Sequence, residues 1–346
     1  MIVFITHGDG PRGAERALRN LLTNSPTSIM LSVISMGKRF GLPVEHYVTN
    51  KLMAVVVALR EVERGLESDQ QVTLCYVNGH MAVPFIVFLI IRLRSLLRRE
   101  RIRLVLWEHC LPHTHYERRI GGARFVIRSM YTCMLSMADA VIAPSSVIGD
   151  DLKRYFGGIG STVLQLNNPI ILEPASSMQL PIEWPGRTAT RILFVGSLTR
   201  EKQPHLALDW VSANRGSNVH LLLCGDGLLR EELQNRIIFE NIPATIVGYV
   251  GNLRDYYQQA DLLLCTSSYE TYSNVMMEAV MCGCHVLTTD WPGVESLYGN
   301  QPLVRIHSTD VSPVFEVYSL SPRPDPSERL TNFVVLDYIQ HLEGRN

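Results

Sequence analysis

Short apolar runs rich in β-branched residues alternate along the chain with longer segments of helical period. In the front half, the runs Ile2–Thr6, Ile29–Ile34, Val72–Val77, Leu104–Trp107, Ala140–Ala143 and Val163–Leu166 predict strands. Between them the spacing predicts helices near 14–24, 52–66, 84–99, 123–137 and 145–156. The strands are continuously apolar rather than alternating. That is the signature of parallel strands buried on both faces and crossed over by helices.

From Asn167 to Thr190 the character changes. This stretch holds four prolines and little periodicity, and reads as a linker. The alternation then restarts, with strands predicted at Ile192–Val195, Leu221–Cys224, Thr245–Val247, Leu262–Cys265 and Val286–Thr289, and helices over 204–213, 228–239, 252–259 and 274–282. The tail predicts one more helix, with Ser327 as a cap. The expected organisation is therefore a first doubly wound domain over 1–172, a linker over 173–190, a second over 191–325, and a final helix over 326–346. In such folds ligands lie beyond the carboxyl ends of the strands, so a cleft between two facing domains is the expected site.

Composition narrows this picture. Of 346 residues 46% are hydrophobic and 19% charged, enough apolar material for two cores. Seven dispersed cysteines argue against a disulfide scaffold and for a reducing compartment. The net charge of -1 hides an asymmetry: residues 1–170 carry 20 basic and 13 acidic residues, and residues 171–346 carry 12 and 20. A basic front half suits an anionic partner, either a membrane surface or nucleic acid. The opening MIVFITHGDG reads as a strand and a glycine turn, not as a signal peptide. The longest apolar run, Met81–Ile91, is broken by Pro84 and is far short of the about 20 residues a spanning helix needs. The expected location is cytoplasmic, peripheral on the inner face of the cell membrane.

Candidate chemistry clusters behind the strands. His7–Arg16 follows the first strand, with Gly8, Gly10 and Gly13 permitting close backbone approach to an anion. Pro11 breaks the dinucleotide fingerprint. Gly196-Ser-Leu-Thr-Arg-Glu-Lys202 places Arg200 and Lys202 where a phosphate would lie. Gly225-Asp226-Gly227 reads as a backbone nest. Ser267 to Gly283 is the most informative segment. Glu270 sits in a loop, a helix begins near Ser273 or Asn274, and Glu278 lies about one turn inside it. The free amides of 274–276 and the helix dipole would hold a phosphate, with a carboxylate on either side for hydroxyls. A nucleotide-sugar has that shape. Trp107-Glu108-His109 closes a strand and offers His109 to a sugar or a developing charge. His113 and His115 follow, but lack the partner spacing of a zinc site, so no metal is expected. Cys282 and Cys284 read as core thiols. Finally, an apolar segment runs into Arg92, Arg94, Arg98, Arg99, Arg101 and Arg103, a basic amphipathic helix suited to an anionic bilayer. Without interleaved aromatics, nucleic acid is the weaker reading.

The order of these segments carries more than any one of them. Gly13-Ala-Glu-Arg16, Asn168-Pro-Ile170, Phe194-Val-Gly196 with Lys202, Gly225-Asp-Gly227, Gly248, Ala260-Asp261 and Glu270-x7-Glu278 with Gly283 occur in sequence. This resembles the family-4 glycosyltransferases, retaining enzymes of the GT-B fold, over residues 2–298, and within them the bacterial branch that builds surface polysaccharides and lipopolysaccharide. The resemblance implies two Rossmann-like α/β domains facing each other across a cleft, with the first binding acceptor and the second donor, and the final helix returning to the first. It implies that Glu270 binds the donor sugar, Glu278 the ribose, and the amides of Asn274 and Val275 the distal phosphate. Lys202 would neutralise the diphosphate, Gly13 would approach it, His109 would contact the transferred sugar, and Tyr249 would begin the nucleobase pocket. Two departures stand out. Ser197 replaces the family's usual arginine, for which Arg200 could substitute, and the chain is short after Leu297. The implied function is metal-independent transfer of a hexose or N-acetylhexosamine from a nucleotide-diphosphate sugar to a lipid-linked or polysaccharide acceptor, with no cofactor. The alternatives are a sugar-nucleotide epimerase of the same fold, or a non-catalytic scaffold.

Overall fold

The computed structural model describes residues 1–6, 13–25, 29–36, 46–48, 50–68, 70–77, 82–98, 102–111, 124–157, 162–172, 184–185 and 190–307. They form two compact units that divide between Pro169 and Ile170.

The first unit is built on strands β1 (Ile2–Thr6), β2 (Leu31–Ser35), β3 (His46–Tyr47), β4 (Val72–Val77), β5 (Ile102–Trp107), β6 (Ala140–Ala143) and β7 (Thr162–Gln165). They pair in the order β3-β2-β1-β4-β5-β6-β7, all parallel. Residues of β1, β4 and β6 are buried throughout, as the continuous apolar runs predict. The crossover helices are Gly13–Thr23, Lys51–Glu67, Ala82–Arg98, Arg124–Met137 and Ser146–Phe156. Asn50 starts the second of these by accepting the Leu52 amide at 2.8 Å, which satisfies one of the helix's orphan donors.

The second unit carries β8 (Thr190–Val195), β9 (Val219–Cys224), β10 (Ala244–Gly248), β11 (Leu262–Cys265), β12 (His285–Thr289) and β13 (Val304–His307). The order is β10-β9-β8-β11-β12-β13, again all parallel. The period of two along each strand divides the core. Ile192, Phe194, Leu221, Leu223, Leu262 and Leu264 face one layer, with Leu208 and Val211. Leu193, Leu222 and Leu263 face the other, with Tyr256, Tyr257, Met276, Trp291 and Tyr298. Truncating one such leucine to alanine costs about 2–5 kcal/mol. Trp184, inside the predicted linker, is 7% exposed and packs in that second layer, its indole N–H donating to the Ile192 carbonyl at 3.0 Å.

One device recurs in both units. Asp139, just ahead of β6, accepts the Leu104 amide at 2.7 Å and pairs with Arg92 at 2.6 Å. Asp261, just ahead of β11, accepts the Arg191 amide at 2.9 Å and the same residue's guanidinium at 3.0 and 3.2 Å. Each aspartate fastens the start of its strand to the neighbouring strand.

Strands β3 and β13 and the helix Val294–Tyr298 go beyond the sequence expectation. At two to five residues they are too short to show a period. The final helix predicted over 326–346 lies outside the described residues, as do His7 to Pro11, His113, His115, Arg99 and Arg101.

Candidate functional site

In the second sheet the strand order reverses between β8 and β11, which are direct neighbours through Ile192↔Leu262 and Leu193↔Leu263. A crevice opens beyond the carboxyl ends at such a reversal, because successive crossovers leave in opposite directions. The loops that follow β8, β9 and β11 therefore meet there.

Hydrogen bonds hold these loops together. After β8, the Gly196 amide donates to the Cys224 carbonyl, the Leu198 amide to Asp226, and the Leu229 amide back to Leu198, at 2.9–3.1 Å. A Cβ on Gly225 would stand 1.8 Å from the Gly196 carbonyl oxygen, and one on Gly227 2.5 Å from that of Leu198. The glycines are thus required by the contact of two backbones. Asp226 is a turn residue: its carboxylate accepts the Gly227 amide at 2.8 Å and lies 3.4 Å from Arg230.

The loop after β11 is fastened to the loop after β8. Thr266 Oγ1 bonds the carbonyls of Lys202 and Gln203 at 2.8 and 2.9 Å. The Ser268 amide and hydroxyl both donate to the Glu201 carbonyl, at 2.9 and 3.1 Å. These bonds set Lys202 against Glu270, and the two form a short ion pair. Ser267 donates to the same carboxylate oxygen, Oε1, at 2.8 Å, and Thr289 steadies Ser267 through its carbonyl at 2.5 Å. Among the described residues Oε2 of Glu270 has no hydrogen-bond partner, so it is the oxygen left for a hydroxyl. Burial opposes the Lys202 charge, but the Glu270 carboxylate outweighs it and lifts the lysine pKa above its ordinary value. Arg200 in the same loop is exposed and makes no ion pair among the described residues.

The helix Asn274–Met281 begins directly after this loop. Ser273 holds the cap position in a left-handed conformation, φ 43°, and its side chain makes no capping bond. Its hydroxyl instead lies 3.8 Å from the Cys265 thiol. Of the two caps the sequence offers, Ser273 and Asn274, Ser273 takes the place without the bond, and Asn274 is the first helical residue. The turn is held from behind, where the Tyr298 hydroxyl lies 2.8 and 2.9 Å from the carbonyls of Tyr272 and Ser273. Val275 packs toward the core. Glu278 is fully buried, accepting the Tyr257 hydroxyl at 3.0 Å. Tyr249, after the left-handed Gly248, is 67% exposed.

In the first unit, Gly13 begins its helix and is exposed. His109 follows β5 with its ring 4.8 Å from that of Trp107, and burial pushes its pKa down to about 3. Glu108, to which the sequence reading gave no role, is 5% exposed. Burial lifts its pKa to about 7, against a hydrogen bond with Tyr131. Arg92 and Arg94, placed by the sequence reading on a membrane face, are ion-paired within the unit, Arg92 to Asp139 at 2.6 Å and Arg94 to Glu63 at 2.8 Å. Arg103 lies within β5. Among the described residues no group of three His, Cys, Asp or Glu could hold a metal ion, and all seven cysteines are free thiols.

The structure therefore gathers Lys202, Glu270 and the start of Asn274–Met281 in one unit. It adds Thr266, Ser267 and Tyr298, which hold them. The doublet Ser267-Ser268 at the end of a strand was the available signal.

Comparison with known proteins agrees with this geometry. Residues 189–311 match the family model for glycosyl transferases group 1. An N-acetylgalactosamine-N,N'-diacetylbacillosaminyl-diphospho-undecaprenol 4-alpha-N-acetylgalactosaminyltransferase from Campylobacter jejuni is 27% identical over 203 residues, 58% of this chain and 54% of that protein. The chain thus spans about half the length of the curated relatives it matches. Among solved structures, Anabaena HepE in complex with UDP superposes with a TM-score of 0.67 at 16% identity, covering 99% of this chain and 91% of that one. WaaG, a glycosyltransferase involved in lipopolysaccharide biosynthesis, superposes with a TM-score of 0.65 at 12% identity, covering 100% and 94%. These likenesses establish the fold, the pair of doubly wound α/β units found in GT-B glycosyltransferases.

Proposed function

We propose that the chain, whose residues 189–311 match the glycosyl transferases group 1 model, transfers a hexose or N-acetylhexosamine, with retention, from a nucleotide-diphosphate sugar to a lipid-linked acceptor in surface-glycan synthesis. The observation that carries this reading is the Lys202–Glu270 pair at the strand reversal, directly before the start of Asn274–Met281. Donor diphosphate lies on the helix-start amides and on Lys202, whose raised pKa keeps it cationic. Glu270, through Oε2, accepts hydroxyls of the donor sugar. The relative's action on a diphospho-undecaprenol substrate and HepE's complex with UDP support a lipid-diphosphate acceptor and a uridine donor.

In the reaction, the bond from the anomeric carbon to the diphosphate breaks as the acceptor oxygen bonds that carbon on the same face. The acceptor proton passes to the departing phosphate. Charge accumulates on the diphosphate, where Lys202 and the amides stand ready without reorganisation. That group needs no metal to neutralise it in this reading, so transfer persists in EDTA.

The test is a screen of nucleotide-sugars by thermal shift, followed by transfer to a polyprenyl-diphosphate saccharide. Glu270→Ala is expected to lose at least about 100-fold in turnover; full activity in that variant refutes the site. Conversion of donor alone, without acceptor, would instead identify an epimerase, and donor binding without turnover a scaffold.

A further inference from the structure

The helix Ala82–Arg98 is apolar on two opposite faces. Val83, Val87, Phe88 and Ile91 are buried against the first unit. Ile86, Leu89, Ile90, Leu93, Leu96 and Leu97 are exposed, the last three at 52%, 79% and 84%. At about 100° per residue these six fall within an arc of about 120°, a continuous ridge along the helix. A surface helix of a globular protein carries polar residues there. The neighbouring crossover helix, Arg124–Met137, packs against this one and adds exposed Phe125 and Val126 at its start. It also carries a groove of about 460 Å³ lined by Phe125, Arg128 and Cys133 among others.

Charge identifies what fits this surface. Neither helix contains an aspartate or glutamate, and in the sequence arginines stand at 98, 99 and 101 after Leu97 and at 124 and 128 in the second helix. Neither helix is long and apolar enough to cross a membrane. An apolar ridge on helices that carry basic and no acidic residues matches the boundary between acyl chains and anionic headgroups. We propose that the ridge Ile86–Leu97, with Phe125 and Val126, is the surface by which this chain lies on an anionic bilayer. The contact is made by these apolar side chains rather than by Arg92 and Arg94, which are engaged in internal ion pairs. Crossover helices start at the carboxyl edge of their sheet, the ligand edge of doubly wound folds. Ile86, Phe125 and Val126 lie toward that edge, so the ridge reaches the side from which a lipid-linked acceptor arrives. This last purpose rests on the proposed transfer reaction; the bilayer contact itself does not.

Co-sedimentation of the full chain with vesicles tests it, without any sugar present. Vesicles containing phosphatidylglycerol are expected to bind the protein, and Leu93→Ser/Leu97→Ser to weaken that binding at least tenfold with an unchanged thermal melt. Native-like binding by the double variant overturns the ridge. Equal binding to pure phosphatidylcholine overturns the anionic preference. A native dimer that the double variant converts to monomer, with neither form binding vesicles, overturns the proposal and assigns the ridge to a second copy. A variant that leaves vesicles yet keeps transfer to a short water-soluble acceptor separates the membrane contact from the chemistry.

Discussion

The ends of β5 and β11 pose the same electrostatic problem and solve it in opposite ways. Behind β5, Glu108 and His109 are both driven toward their neutral forms by burial, the acid upward and the base downward. Behind β11, Glu270 is matched by Lys202 from the loop after the adjacent strand, and the lysine's charge is strengthened. Among the described residues the difference lies in what stands beside each acid. At β11 a cation arrives within bonding distance and two hydroxyl residues hold its loop. At β5, among the described residues, Glu108 meets Tyr131 and His109 meets Trp107. Parallel strand ends thus do not by themselves make a charged site; a partner fixed by a second strand does.

The most forceful way to break the contrast is to remove the cation. Lys202→Ala is expected to lower turnover by about 100- to 1000-fold, the scale of losing one preorganised charge at a developing anion. The exchanged pair Lys202→Glu/Glu270→Lys sharpens this. It restores an ion pair and should recover the melting temperature lost in Lys202→Glu alone, yet leave transfer abolished. A swapped protein with native turnover would show that the pair is structural.

Next in size is the backbone contact that holds the second site. Gly225→Ala drives a Cβ to 1.8 Å from the Gly196 carbonyl, which neither backbone can yield. A loss of about 3 kcal/mol or more is expected in urea unfolding. Gly216→Ala, which meets nothing within 4 Å, is the control and should stay within about 0.5 kcal/mol.

Much of this architecture is legible in the chain, for identifiable reasons. Strands buried on both faces write themselves as unbroken apolar runs, so β1, β4, β6 and β11 are found with correct ends. That Lys202 and Glu270 come together is legible because each follows a strand, and doubly wound order makes those strands neighbours. Thr266 and Ser268 are missed because hydroxyl bonds to a distant carbonyl have no spacing rule. The glycines at 225 and 227 are legible as permissive positions, whereas their cause, two backbones in contact, needs coordinates. Arg92 and Arg94 read as surface charges because Asp139 and Glu63 lie far away in sequence. The outer ridge of Ala82–Arg98 is hidden for a related reason: apolar residues on two opposite faces of one helix do not reveal from spacing which face is buried.

At β5 the contrast can be sharpened by titration. Below its ordinary value of 4.5, Glu108 is protonated in both states; between 4.5 and about 7 only the folded chain holds the proton. That stabilisation is complete at low pH and is lost as pH rises through about 7. His109 runs the other way, because between about 3 and 6.5 only the unfolded chain is protonated. Its contribution is present above 6.5 and lost as pH falls. Each slope is at most about 1.4 kcal/mol per pH unit, and from 4.5 to 6.5 they cancel. Urea midpoints should therefore be nearly flat there for the native chain, rise with pH in Glu108→Gln, and fall with pH in His109→Asn. Parallel profiles in the two variants would contradict the opposed burial.

The smallest effect separates holding the second site from forming it. Tyr298 comes from the helix Val294–Tyr298, and its hydroxyl meets the two carbonyls at the left-handed turn before Asn274. Tyr298→Phe keeps the ring, and with it the edge contact to Trp291 at 6.2 Å, and removes only the oxygen. The cost to stability is expected to be about 1 kcal/mol, the net value of a buried hydrogen bond. If that turn aims the amides of Asn274–Met281 at the diphosphate, the variant raises KM for the donor several-fold and leaves the pH profile of turnover in place. In the proposed reaction Lys202→Ala is instead expected to act on kcat, because the lysine's charge would matter most as the diphosphate departs. A Tyr298→Phe protein with unchanged donor KM would mean that the turn is fixed by the chain on either side of it, and that the β11 site owes its order to Thr266 and Ser267 alone.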